Sequence, residues 1–262
     1  MLKFIKNLKN LFWADYIFTC KLIFAFCLKN YKTNIIFYSQ REIIEHLKKG
    51  KSIIRFGDGE ISLMGMCGIH FQDANKDLGR KLKNIVTEYS STSFYIIAVG
   101  KRYMSISNSK LRELKLLRCW LPSKVYFNHV FPKFMHYGDA HMFYVNGFFE
   151  QQIVPLIRHK KIIFVTNESD MTEKKEIVSK SFEDITWVLT PKKNSFSTFD
   201  ATFEKIIDQV ENKENTIVIV STGPMGKVLA HALSSVEIQT IDLGHGISIL
   251  FKKDNSLEKI LI

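Results

Sequence analysis

Zinc-ligand spacing is missing from this chain. Its four cysteines, Cys20, Cys27, Cys67 and Cys119, lie far apart with no Cys-x-x-Cys pair. That predicts reduced thiols in a cytoplasmic protein, without a disulfide frame. Proline is scarce, at five residues in 262, and no Gly/Ser-rich tract or internal repeat interrupts the chain. No linker therefore marks a domain boundary. The motifs GxxxxGK[ST], GxGxxG, HExxH and GxSxG are all absent. P-loop, dinucleotide, zinc-protease and α/β-hydrolase chemistry thus lack support.

Acids are also in short supply: 26 Asp+Glu face 37 Lys+Arg, for a net charge of +11. Such a surplus suits an anionic partner, whether nucleic acid, an anionic membrane or a phosphorylated substrate. No RNP, helix-turn-helix or finger pattern accompanies it, so no nucleic acid is expected as partner.

A long apolar run is missing as well. The best candidate, LFWADYIFTCKLIFAFCL at 11–28, is interrupted by Asp15 and Lys21. A spanning helix needs roughly 20 apolar residues, and a central Asp or Lys costs about 2.5–3.5 kcal/mol. No small-residue cleavage site follows the basic start, which argues against a signal peptide. Residues 1–33 hold six lysines against one acid. This pattern predicts a helix packed on the domain or lying on a membrane surface, where each lysine would add about 1 kcal/mol of attraction to anionic lipid. A core helix with solvated lysines is the other reading. Residues 1–37 are taken as this basic, apolar segment and 38–262 as one α/β domain.

What is present is alternation. Apolar, Ile/Val-rich runs at 52–56, 93–99, 161–166, 185–190, 215–222 and 238–244 predict strands buried on both faces. Helical patterns fall at 39–50, 74–90, 149–159, 172–181, 198–211 and 224–235. Ser39 is the expected cap of the first and Gly50 its end. Alternation of this kind predicts a Rossmann-like, mostly parallel sheet flanked by helices. The aromatic stretch 100–148 is expected as short helices and loops over one face.

In open α/β sheets, ligands bind beyond the carboxyl ends of strands. Three exits carry unusual residues. In RFGDGE, Asp58 and Glu60 stand two apart on a glycine turn, with Arg55 before them. Two carboxylates suit a hard cation such as Mn²⁺ or Mg²⁺ that keeps water and bridges to phosphate; a solvated turn is the plain alternative. In STGPMGKVLAHAL, Gly223 and Pro224 open a helix whose free N–H groups favour an anion, and Lys227 adds a charge. In IDLGHG, Asp242 and His245 leave the last strand, where a histidine serves as base, ligand or structural hydrogen-bonder. A further exit, TPKKNSF, brings Asn194 with two lysines.

Together, SIIRFGDGE, FQDANKDLGRKL, PKKNSF, GPMGKVLAHALSS and IDLGHG resemble, in order and spacing, the GT-D-type bacterial glycosyltransferases over about residues 40–250. The resemblance implies a nucleotide-sugar donor, UDP-linked in the first instance, and a divalent metal on Asp58 and Glu60. It places Arg55, Gln72, Asn194, Gly223, Pro224 and Lys227 at the donor and its phosphates, and its late Asp-x-Gly-His on Asp242 and His245; an inverting transfer would need a base, His245 first, then Asp242 or an acid in 100–148, and a retaining one would not. It also implies a saccharide acceptor, which such pathways often carry on a lipid diphosphate. Residues 1–33 would suit a cytoplasmic enzyme resting peripherally on the inner membrane. Two departures, His231-Ala232-Leu233 and Gly246-Ile247, leave the particular sugar open. Other readings are a metal-dependent phosphate-ester hydrolase using the same acids and a non-catalytic protein that binds a nucleotide sugar or nucleic acid.

Overall fold

The structure is a computed structural model that describes residues 16–144, 147–169 and 171–244. These residues form an eight-stranded sheet: β1 (Ile36–Phe37), β2 (Ser52–Phe56), β3 (Tyr95–Val99), β4 (His136–Asp139), β5 (Lys161–Asn167), β6 (Asp184–Thr190), β7 (Thr216–Ser221) and β8 (Thr240–Asp242). The strand order is β1-β4-β3-β2-β8-β7-β5-β6, and every paired neighbour is parallel.

Period-two alternation along the strands makes two cores. Ile54, Phe56, Ile97, Val99, Ile163, Val165, Val218 and Val220 point to one face. Their neighbours Ile53, Ile96, Ala98, Ile162, Phe164, Ile217, Ile219 and Ile241 point to the other. Each strand is thus apolar on both sides, which is why the runs read as continuous rather than alternating.

The first face is covered by α3 (Asp58–Met64), α4 (Lys76–Thr87), α7 (Leu117–Val130) and α11 (Pro224–Ser235), with α1 (Tyr16–Cys27) packed on α7. The second is covered by α2 (Gln40–Lys48), a π-helical turn at Phe149–Ile153 leading into α8 (Val154–Ile157), and α9 (Met171–Val178). Short helices α5 (Lys101–Ser105) and α6 (Asn108–Glu113) link β3 to α7, and α10 (Phe199–Gln209) links β6 to β7. Among the described residues no helix is long and apolar enough to cross a membrane.

Local chemistry sets the ends as expected for α2. Ser39 N–H donates to Glu42 Oε2 (2.7 Å) and Glu42 N–H donates back to Ser39 Oγ (3.3 Å), a reciprocal capping box. Two expectations need correction. Asp58 and Glu60 do not sit on a glycine turn: they occupy the first turn of α3, with Gly57 as its N-cap. The 100–148 stretch is not only cover, because His136–Asp139 enters the sheet as β4, between β1 and β3.

The strand order reverses beside β2. From there β3 and β4 lie on one side, and β8 and β7 on the other. A crevice opens at such a reversal because consecutive crossovers leave in opposite directions.

Candidate functional site

Five strand exits converge on one cleft of about 430 Å³. β2 supplies Arg55–Glu60, β3 Gly100, β4 Ala140 and His141, β7 Gly223 and Lys227, and β8 Gly244; Ile69, His70, Phe71 and Trp120 close the walls.

At the floor lies a buried ionic cluster. Lys227 Nζ is 3.4 Å from Glu60 Oε1 and 3.2 Å from Asp242 Oδ2. Lys227, Glu60 and Asp242 are only 4%, 8% and 1% exposed. The carboxylates have further donors. Gly57 N–H donates to Glu60 Oε2 (2.8 Å), Arg55 N–H to Asp242 Oδ2 (3.0 Å) and Gly244 N–H to Asp242 Oδ1 (2.9 Å). Burial alone would raise the Glu60 carboxyl, but Lys227 and the Gly57 N–H outweigh it and hold it below the usual range. Burial likewise opposes the Lys227 charge, and Asp242 and Glu60 hold its pKa above the ordinary value. The cluster stitches the starts of α3 and α11 to the end of β8. Lys227, expected as a point charge for phosphate, spends its ammonium on these two acids.

Asp58 differs from Glu60. It is half-buried, and among the described residues no Lys, Arg or His pairs with it. Burial raises its pKa, and the nearby Glu60 charge raises it further. Both effects disfavour its ionised form, so the carboxylate would gain from a cation beside it.

Arg55 is fixed from three sides. Its guanidinium donates to Tyr144 Oη and to the Leu243 carbonyl, and stacks 4.8 Å from the centre of the Tyr144 ring. Its Nε is buried without a partner, a donor left over beside the cleft. Tyr144 Oη also donates to the Leu243 carbonyl (2.8 Å).

Gly223 has φ +62° and ψ −142°, backbone that side chains disfavour. A Cβ there would lie 2.9 Å from the Phe71 ring. Pro224 is buried as the first residue of α11. Gln72 and Asn194 come together, but beside the cleft rather than in its lining. Gln72 Nε2 donates to Asn194 Oδ1 (3.3 Å), Asp73 N–H to the same oxygen (2.8 Å), and Asn194 Nδ2 to Asp73 Oδ2 (2.7 Å). This clamp holds the 69–73 loop, and so Phe71, over Gly223. His245 lies outside the described residues.

The residues fit a divalent ion of one kind. Among the described residues no group of three or more His, Cys, Asp or Glu could cage a metal. Asp58 has no ion-pair partner among the described residues and accepts from the backbone N–H groups of Asp58 and Gly59, while Glu60 accepts from Gly57, its own N–H and Lys227, so each keeps a lone pair to offer. An ion that takes one or two carboxylates and completes its shell with water and phosphate oxygens matches that supply. The charge balance agrees. Arg55 and Lys227 against Asp58, Glu60 and Asp242 leave a formal −1 among these five groups, a sign that would suit a bound cation.

Sequence reading missed Tyr144, Trp120, Phe71 and His141. His141 and Tyr144 follow the unpredicted strand β4 and Trp120 lies in α7, all within the stretch 100–148. The only signal available was the density of aromatics and histidines there.

A parallel sheet with a cleft of buried charged groups at its reversal point is the arrangement of an α/β enzyme. The model of the glycosyltransferase GT-D fold matches residues 53–252, and the chain belongs to that glycosyltransferase family. A curated relative from Streptococcus gordonii, a probable glycosyl transferase Gly, is 22% identical over 222 residues, 76% of this chain and 30% of the relative. The chain thus spans about a third of that relative's length. A glycosyltransferase of the DUF1792 group from Streptococcus sanguinis gives a TM-score of 0.68 at 19% identity, over 86% of this chain and 86% of that chain. A second solved structure, the domain of unknown function 1792 described as having a distinct glycosyltransferase fold, gives 0.66 at 20% identity, over 92% and 86%. At these identities the likeness establishes the fold.

Proposed function

We propose that this glycosyltransferase moves a hexose from a nucleoside diphosphate sugar, UDP-linked in the first instance, to a saccharide acceptor. Asp58 and Glu60 would hold Mn²⁺ or Mg²⁺. One observation carries the reading: Asp58 is an uncompensated carboxylate at the point where five strand exits meet. When bound, the ion would neutralise charge growing on the departing diphosphate. This chain's own residues do the rest. The Lys227–Glu60–Asp242 cluster fixes the floor. The first turn of α11 after Gly223 would offer its free N–H groups to phosphate, and Arg55 adds positive charge to the cleft. The 72–194 clamp carries Phe71 over the mouth.

The acceptor we favour belongs to surface-polysaccharide or glycoprotein-glycan synthesis and can be carried on a lipid diphosphate. Support for a peripheral membrane contact comes from the six lysines of residues 1–33. It also comes from α1, whose outward face exposes Phe24 (67%) and Ile23 (42%).

The test is a panel of nucleoside diphosphate sugars and saccharide acceptors, with and without Mn²⁺, on wild type beside Asp58→Asn. Metal-stimulated transfer, reduced about 10²–10³-fold in the variant, supports the reading. Release of free sugar or phosphate without transfer favours a hydrolase, and equal turnover by both proteins removes the role given to Asp58.

A further inference from the structure

We propose that His141, oriented by Asp139, is the base that takes the proton of the acceptor hydroxyl, and that the transfer therefore inverts the sugar's anomeric centre. The proposal rests on the transferase reading above and adds the group that activates the acceptor.

Position is the first argument. His141 lines the cleft at the exit of β4. β4 lies two strands from β2 on one side, and the Gly223 turn lies two strands from β2 on the other. Neighbouring strands are about 4.8 Å apart, so the exits of β4 and β7 lie on opposite sides of the β2 exit that carries Asp58. A sugar attached to a diphosphate near Asp58 and Gly223 would present its far face toward His141. In-line displacement requires that arrangement: nucleophile and base on one face, leaving group on the other.

Orientation is the second. Nδ1 of His141 is buried without a hydrogen bond and lies 3.8 Å from Asp139 Oδ1. Asp139 Oδ1 is itself anchored by the His141 N–H (3.0 Å) and the Lys101 N–H (3.2 Å). A slight closure would turn Nδ1–H onto that carboxylate and leave Nε2 as the acceptor of a proton. The ring is wedged edge-on against Tyr103, with centres 5.5 Å apart. It fits only because residue 100 is glycine: a Cβ there would meet His141 Cε1 at 2.8 Å.

Charge is the third. The groups around the imidazole are Asp139 from β4, Arg55 from β2, Arg102 and Tyr103 from α5, and Tyr144. Burial lowers the imidazole pKa. Asp139 opposes that, and Arg55 and Arg102 reinforce it. The net direction favours the neutral imidazole, the form a base requires.

The step balances. The acceptor oxygen forms its bond to the anomeric carbon as the bond from that carbon to the diphosphate oxygen breaks. The electron pair leaves on the diphosphate, and the hydroxyl proton passes to His141 Nε2 and then to solvent.

The experiment uses whichever donor and acceptor the panel shows to react. The product's anomeric configuration is read by proton NMR on wild type. kcat and KM are measured across pH 5–9 for wild type, His141→Gln and Asp139→Asn, and UDP binding is measured calorimetrically. We expect an inverted product, a rate loss of about 10²–10⁴ in kcat for His141→Gln with UDP affinity unchanged, and disappearance of the acid limb of the profile. In Asp139→Asn that limb should move to lower pH. A retained configuration overturns the proposal without any variant. So does a His141→Gln profile that keeps the wild-type rate or its acid limb. Absence of transfer by wild type with every donor would remove the transferase reading, and this inference with it.

Discussion

Replacing Lys227 by methionine removes the single ammonium that two buried carboxylates share. The side chains match in length and methionine is flexible, so packing changes little. Electrostatics change a great deal. Glu60 and Asp242, 8% and 1% exposed, each lose a cation at 3.4 and 3.2 Å. Their backbone donors at Gly57, Arg55 and Gly244 remain, which keeps the cost below that of two bare charges. Breaking a buried ion pair from one side costs about 3–5 kcal/mol, against a total stability of roughly 5–15 kcal/mol. Lys227→Met should therefore lower Tm by about 6–20 °C, at roughly 2–4 °C per kcal/mol for a chain of this size. Urea unfolding followed by circular dichroism gives the same difference at constant temperature. The triple variant Glu60→Gln/Lys227→Met/Asp242→Asn removes all three charges and should regain most of the lost stability while transfer stays abolished. A single variant within about 1 kcal/mol of wild type would refute the cluster's structural role. So would a triple variant less stable than the single.

Three other outcomes follow from local geometry. Gly223→Ala should cost about 1–3 kcal/mol, because its backbone is held at φ +62° and the new Cβ meets Phe71; unchanged urea unfolding would contradict that. Lys124 is wholly buried on the Tyr31 and Ile106 carbonyls, and burial, reinforced by Lys32, pushes its pKa from 10.5 down to about 8. The unfolded chain then binds this proton more tightly, so stability relative to Lys124→Met should rise between pH 8 and 10.5, by about 3 kcal/mol at most; a flat difference would place that proton elsewhere. Phe24→Glu, at a residue 67% exposed, should weaken sedimentation with phosphatidylglycerol vesicles about tenfold or more and leave stability within about 0.5 kcal/mol. That variant is a cleaner test than deleting 1–33, which would strip the buried Leu22 and Ala25 from the core; undiminished sedimentation would remove α1 from the membrane contact.

The sheet was legible wherever burial on both faces forced a continuous apolar run. β2 begins and ends where the run SIIRF does, and β5 extends its expected span by one residue. β4 was not legible. Its sequence HYGD holds a glycine and an acid, and only Tyr137 and Gly138 are fully buried. It is a strand because β3 and β1 flank it, not because of its own propensity. Missing that strand also hid His141 and Asp139, since an exit cannot be recognised before the strand that leads to it. The first turn of α3 was hidden differently. Two glycines within four residues read as a turn, and Glu60 closing back on the Gly57 N–H is what stabilises a helix start there. Asp58 and Glu60 were legible as a pair but not as unequal partners. Lys227 lies far along the chain from Glu60, and only the folded sheet brings them together.

The central claim is that Asp58 couples a divalent ion to a diphosphate in the cleft between β2 and the Gly223 turn. The measurement closest to it is calorimetric titration of UDP into wild type and Asp58→Asn, each with and without Mn²⁺. The account predicts that Mn²⁺ tightens UDP binding to wild type at least about tenfold, or ~1.4 kcal/mol, and leaves binding to Asp58→Asn unchanged. An equal gain in the two proteins would contradict it.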